Sequence, residues 1–367
     1  MRIVPTQNCI AALEQHEPAV SAVVPCRNEV NHIECCVHSL LAQISPPGGF
    51  EVIIVDGRSN DGTRDVLRRL AAQDARLRVV DNPAGITPCG MNCGIRAARG
   101  RWIAILGSHN RYAPDYLVRC LEVAQATGVD NVGGAMFCEG ESLVQKAIAA
   151  AHHSPFAVGG AKWHNPNYEG LTDTVFGGFY KREIFEKIGL FDEELVRNQD
   201  DELNLRLTRA GGRIWHAPTI KSWYKPRGSL SALFRQYAQY GYWKMRVIQK
   251  HKLPASWRHL VPGAFVCTLG SLLLLSTFGL IFSAFVPSRL WVAPAALLVL
   301  LLSLYVISVL LASVVTAAKT EWKLLPHLPL IFPCYHIGYG SGFVQGIWDF
   351  VIRRRGSPKG SFQSLTR

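Results

Sequence analysis

Two uninterrupted apolar runs near the carboxyl end, Val261 to Val286 and Leu290 to Ala318, constrain this chain more than any other feature. Each exceeds the roughly 20 residues that an α-helix needs to cross a bilayer. Soluble cores seldom hold helices this long that are apolar all round. Between the runs, Pro287-Ser288-Arg289 is short and turn-forming, so the two predict a helical membrane hairpin. A third apolar segment, Leu324 to Ile352, is interrupted by Pro326, Pro329, Pro333 and several glycines. It is expected to lie re-entrant or flat at the interface rather than to span. Charge placement favours two spans over three. Arg246, Lys250, Lys252 and Arg258 precede the hairpin, Lys319 and Lys323 follow it, and Arg353-Arg354-Arg355 closes the third segment. The positive-inside bias places all three clusters on the cytoplasmic side.

Ahead of residue 260 the 367-residue chain reads as a soluble domain. The net charge of +12 suits phosphate-bearing partners and anionic membrane surfaces. No basic face interleaved with stacking aromatics is visible, so a nucleic-acid partner is not expected. The ten cysteines show no ligand spacing: Cys35 and Cys36 are adjacent, and Cys89 and Cys93 lack a second pair. Free thiols in a reducing compartment follow, and zinc is not expected. Met1 to Pro18 has no positive region followed by an apolar core, so the first domain is expected to stay cytoplasmic.

Within that domain, Phe50-Glu51-Val52-Ile53-Ile54-Val55-Asp56 is a buried-strand pattern ending in an acid. Gly57 and Gly62 punctuate the polar turn that follows, and a helical stretch opens at Thr63. Upstream, Ala22-Val23-Val24-Pro25-Cys26-Arg27-Asn28-Glu29 repeats the design and leads into a helix from about His32 to Leu41. Two strand-loop-helix units with polar residues at both strand ends form a nucleotide-binding half-sheet, with ligands at the carboxyl ends. Neither strand is followed by Gly-x-Gly-x-x-Gly or a Walker A pattern, which excludes the usual dinucleotide site and the P-loop. Asp56 taken alone is equally an ordinary turn acid.

The segments V-V-P-C-R-N-E and V-D-G-R-S-N-D-G-T resemble those of the family-two inverting glycosyltransferases of GT-A fold. The likeness continues through Asn82 to Gly100, Thr174 to Phe179, Gly189 to Glu193 and Asn198 to Glu202. Motif order and the apolar tail look most like the ExoA-type subgroup, which adds sugars to lipid-linked exopolysaccharide precursors. The resemblance implies an α/β fold: a GT-A mixed sheet flanked by helices over residues 19–250, then the membrane hairpin. Around it are expected an N-terminal arm (1–18), a basic juxtamembrane linker (251–259), a hydrophobic region (260–352) and a basic tail (353–367).

By resemblance, Pro25, Arg27, Glu29 and Asp56 hold the base and ribose of a nucleotide sugar. Asp61, Asn92 and Ser108 are further positions near the donor. Asp61 reads equally as an acid favoured by a helix N-terminus. The family usually places a D-x-D motif after a strand, where two carboxylates hold Mn or Mg against the diphosphate. Here Trp102 to Leu106 leads into Gly107-Ser108-His109-Asn110. Both carboxylates are missing, and only His109 fits the D-A-H form of the subgroup. Three explanations stay open: a metal held by His109 and the diphosphate, cationic side chains in place of the metal, or an impaired site.

Asp200 takes the place of the family's catalytic base, with Gln199 where glutamate is usual. Asp201 and Glu202 are alternatives for the base or for acceptor contact. All three acids also suit the first turn of a helix. Gly177 and Gly178 are expected on the acceptor side, as are Tyr240 and Trp243. The last two fit an interfacial aromatic belt equally well. Gln236 and Gln239 lack the Arg-Trp that completes the Q-x-x-R-W motif of processive relatives, which argues against long-chain synthesis. The expected protein is a multi-pass inner-membrane glycosyltransferase. It would take a nucleotide sugar, UDP-linked first, and a lipid-linked saccharide, alongside polysaccharide-assembly partners. The alternative is a catalytically weak binding partner of another transferase.

Overall fold

The structure is a computed structural model that describes residues 17–283, 292–356 and 362. The N-terminal arm up to residue 16, the connector at Pro287-Ser288-Arg289 and most of the basic tail lie outside the described residues. The first half alternates strands and helices as the sequence predicts. These are β1 (Val20–Cys26), α1 (Ile33–Leu41), β2 (Phe50–Asp56), α2 (Thr63–Ala71), β3 (Leu77–Asp81), α3 (Thr87–Ala97) and β4 (Trp102–Ile105). Then follow β5 (Asn110–Tyr112), α4 (Tyr116–Thr127), β6 (Asn131–Cys138), α5 (Leu143–His152), α6 (Pro155–Val158), β7 (Gly170–Leu171), β8 (Phe179–Lys181) and α7 (Arg182–Ile188). The last elements are α8 (Gln199–Arg209), β9 (Ile214–Tyr224), α9 (Leu230–His251), α10 (Val261–Ser283), α11 (Val292–Lys319) and α12 (Leu328–Gly346).

Among the described residues, nine strands form one mixed sheet in the order β3-β2-β1-β4-β8-β6-β9-β5, with β7 on β9. The first four are parallel, and β8 runs antiparallel to both of its neighbours. Alternation along β2 explains its unbroken apolar run. Val52 and Ile54 enter the core beneath α1, α2 and α4, while Ile53 and Val55 enter the opposite core with Ile95, Leu203 and Leu207. Both faces are covered, as a parallel sheet requires. The register Cys26↔Asp56 brings the carboxyl ends of β1 and β2 to one rim.

Trp257–Ser283 and Val292–Lys319 are long and apolar enough to cross a membrane. Only 6% and 11% of their most apolar windows are buried by the chain, and leucines such as Leu274, Leu280 and Leu311 are exposed, so these are not core helices. The third apolar segment contains the helix α12, laid along α9 and packed on α10. Its glycines are points of backbone approach. A Cβ at Gly342 would stand 1.8 Å from the Ala238 carbonyl oxygen, and one at Gly241 would stand 1.9 Å from that of Tyr339. Pro329 sits in the first turn, where its missing N–H costs nothing. The chain therefore does not change body at residue 250, because α9 joins the sheet domain to the apolar tail.

Candidate active site

One cleft of about 1480 Å³ runs from the carboxyl ends of β1 and β4 to the start of α10. Its strand-end rim holds Pro25, Arg27 and Glu29 after β1, and Gly107 to Asn110 after β4. Arg27 Nη1 donates to the Gly85 carbonyl at 2.9 Å, closing the floor. Glu29 is buried and accepts a hydrogen bond from Ser108 Oγ at 3.0 Å, with His109 Nδ1 3.4 Å away. The His109 ring lies 5.9 Å from that of Tyr224.

Asp200 stands across the cleft in the first turn of α8. The turn is set by Asn198, which adopts the left-handed region (φ 60°) and donates from Nδ2 to the Tyr240 carbonyl at 2.8 Å. Asp200 Oδ1 accepts from the Asp201 amide at 2.9 Å. Water reaches Asp200 along the cleft, yet protein walls surround it. Crowding by those walls, with the Asp201 charge, pushes its pKa up to about 6. Asp201 is held below the usual carboxylate range. Burial pulls it upward, but the buried Lys244, whose Nζ lies 2.5 Å from Asp201 Oδ2, outweighs that. One acid of the pair is therefore neutralised by an ion pair, and the other is left as a proton acceptor near neutral pH. Gly177 and Gly178 line the wall between the rims. The positive φ of Gly177 (62°) turns its carbonyl to accept from Tyr116 Oη at 3.0 Å. Tyr240 also faces the cleft.

Five expected residues are not brought to the cleft wall. Asp56 is fully buried, and its carboxylate is taken by Arg64 Nε at 3.0 Å and the Ser59 amide at 3.2 Å, so it shapes the turn. Asp61 accepts from the Thr63 and Val30 amides at 3.0 and 3.1 Å, the helix-start arrangement. Asn92 is buried and bonds both the amide and the carbonyl of Phe191, tying α3 to the loop before α8. Glu202 lies on the far side of α8, paired with Arg206 and His251 at 2.8 Å each. Trp243 is fully buried against Tyr242 and Phe350, with Nε1 donating to the Phe362 carbonyl at 3.2 Å. Tyr240 and Lys244, four residues apart, share the cleft face of α9, and Trp243 falls outside it.

The carboxylate clamp for a metal does not fit here. A Cβ at Gly107 would come within 2.5 Å of Asn110 Nδ2, so Asn110 fills the space of the first carboxylate. Glu29 and His109 remain as donors, with Glu29 already engaged by Ser108. Among the described residues, no group of three or more His, Cys, Asp or Glu side chains comes together to hold a metal. Arg197 and Arg227 also line the cleft and were not expected. They lie in loops with no motif spacing, so no local pattern marks them.

A mixed sheet of this order, with a strand-end rim facing an acid at the start of a helix, is the architecture of a GT-A glycosyltransferase. The Glycosyl transferase family 2 model matches residues 21–189. The succinoglycan biosynthesis protein ExoA of Rhizobium meliloti (strain 1021) is 35% identical over 274 residues, covering 74% of this chain and 82% of that protein. A Methanococcus voltae dolichyl N-acetyl-α-D-glucosaminyl phosphate 3-β-D-2,3-diacetamido-2,3-dideoxy-β-D-glucuronosyltransferase is 25% identical over 89% of this chain and 97% of its own length. In fold, the chain is similar to the mannosyltransferase PcManGT from Pyrobaculum calidifontis, solved with GDP-Man and Mn2+. The TM-score is 0.56 at 20% identity, over 91% of this chain and 88% of that one. The chain belongs to glycosyltransferase family 2.

Proposed function

We propose that this protein is a membrane-anchored inverting glycosyltransferase that builds a lipid-linked or exopolysaccharide precursor at the cytoplasmic face. The names of the two curated relatives, a succinoglycan biosynthesis protein and a transferase acting on a dolichyl-phosphate-linked sugar, support that substrate class. The observation that carries the mechanism is Asp200. It faces the donor rim across the cleft, with its proton affinity raised while Asp201 is tied to Lys244.

The nucleotide sugar lies along Pro25, Arg27, Glu29 and Ser108, with its diphosphate toward the His109 loop. UDP-linked sugars are the first donors to try, and GDP-linked ones the second. The acceptor enters beside Gly177, Gly178 and Tyr240. Its hydroxyl oxygen attacks the anomeric carbon as the bond from that carbon to the phosphate oxygen breaks. The hydroxyl proton passes to Asp200, and the bonding pair leaves with the nucleoside diphosphate. One displacement inverts the anomeric centre. Asp200→Asn keeps the side chain's volume and its acceptor for the Asp201 amide but cannot take the proton. Donor binding by calorimetry should persist, while transfer to a lipid-linked acceptor falls by about a hundredfold or more. Undiminished transfer by this variant removes Asp200 from the mechanism.

A further inference from the structure

Two glutamines of α9 hold two arginines that arrive from other segments. Arg227, on the connector between β9 and α9, donates from Nε to Gln236 Oε1 at 3.2 Å. Arg197, in the loop before α8, donates from Nε to Gln239 Oε1 at 3.2 Å. Gln236 Nε2 donates to the Tyr240 hydroxyl at 3.0 Å, and the Arg197 guanidinium carbon lies 5.5 Å from the Tyr240 ring centroid. Spacings of three and four residues gather these anchors on one helix face.

Both guanidiniums line the cleft that contains Asp200 and His109. Among the described residues no carboxylate forms an ion pair with Arg227; its anchor is a neutral amide, which fixes direction without cancelling charge. Burial pushes Arg197 below the ordinary guanidinium range and the Arg227 charge pushes the same way, outweighing the pull of Tyr240, Tyr224 and Asp200. The fold has therefore brought two guanidiniums within electrostatic reach of one another on one cleft wall. An anion entering between them would be drawn to both. Arg227 acts electrostatically on Tyr224, whose ring lies 5.9 Å from that of His109, so it shares the cleft with the His109 loop.

We propose that Arg197 and Arg227 grip the diphosphate of the sugar donor and take up the charge that forms on the leaving nucleoside diphosphate. This assignment rests on the glycosyltransferase reading of the cleft. Forked guanidinium donors match phosphate oxygens bidentately, and fixed cations there stabilise the developing charge where a carboxylate-held ion does so in other sites. Gly107 leaves the cleft without the first carboxylate of a metal clamp, and Asn110 occupies the adjoining space.

The test is calorimetry on the full chain in nanodiscs with UDP, UMP, GDP and GMP in EDTA, and with farnesyl diphosphate as a nucleotide-free diphosphate. Wild type should prefer one nucleoside diphosphate over its monophosphate. Arg227→Gln should shrink that preference by about tenfold or more, and Arg227→Lys should retain part of it. Arg227 is only half-buried and lies on a connector, and the melting temperatures of its variants check that they fold. An unchanged preference in Arg227→Gln overturns the proposal, as does a wild-type preference that vanishes in EDTA and returns with Mn2+. Weakened farnesyl diphosphate binding with UDP and GDP spared would overturn the donor assignment and move the pair to the acceptor. If wild type binds none of the four nucleotides, the donor reading itself falls.

Discussion

On the proposed mechanism, Asp200 is the residue through which pH would act. A general base must be unprotonated, and the raised pKa keeps the proton on Asp200 below about 6. Transfer should therefore rise with pH through that value and level above it. Below it, kcat/KM should drop about tenfold per pH unit. Asp201→Asn removes the like charge that helps to raise Asp200 and frees Lys244, and both changes lower the pKa. The acid limb should then move to lower pH, and a limb that stays in place would remove Asp200 as its origin. Among neighbouring acids the sequence put Asp200 first and left Asp201 and Glu202 open as alternatives; Asp200 and Asp201 line the cleft and Glu202 does not. Helix geometry decides that, turning Glu202 toward Arg206 and His251. Asn92 and Trp243 escaped a correct placement for a different reason. Their partners Phe191 and Phe362 lie 99 and 119 residues away, so nothing local marks them as struts. Arg197 was illegible for the same cause, since Gln239 orients it from 42 residues away, whereas Arg227 sits nine residues before its anchor Gln236 with no motif to mark the pair.

Elements were far more legible than side chains. The apolar alternation of β1 and β2, and the polar turns that end them, follow from local sequence alone. The proline- and glycine-rich α12 did not, because glycine signals both a broken helix and a close helix crossing, and only the partner tells them apart. With α9 as that partner, the crossing predicts where bulk is forbidden. Gly342→Val puts a branched side chain into the Ala238 carbonyl and should cost about 3 kcal/mol of stability. Gly270→Ala, on α10, meets nothing within 4 Å and should be neutral or better. Thermal unfolding of both variants in one detergent checks the contrast. Equal melting points would mean that α9 and α12 do not pack so closely.

At the scale of the molecule, the cleft joins two chemistries. Its floor is the strand-end rim of a nucleotide-binding sheet, and its far end is built by Val261, Pro262 and Phe265 at the start of α10. If the acceptor is lipid-linked, as proposed, it can meet a donor from water there only if α10 enters the membrane beside the cleft and α11 returns on the same side. Basic residues flank both ends of the hairpin: Arg258 before α10, and Lys319 and Lys323 around the end of α11. If both helices span, the positive-inside bias sets both on the side of the sheet domain. In inverted and right-side-out vesicles, Ser256→Cys and Thr320→Cys, each in a background cleared of the chain's own thiols, should react with an impermeant maleimide from the same side. That side should be the one on which protease reaches the sheet domain. Labelling of the two positions from opposite sides would mean that an odd number of segments crosses between them, and the acceptor could no longer reach Asp200 by the route from α10.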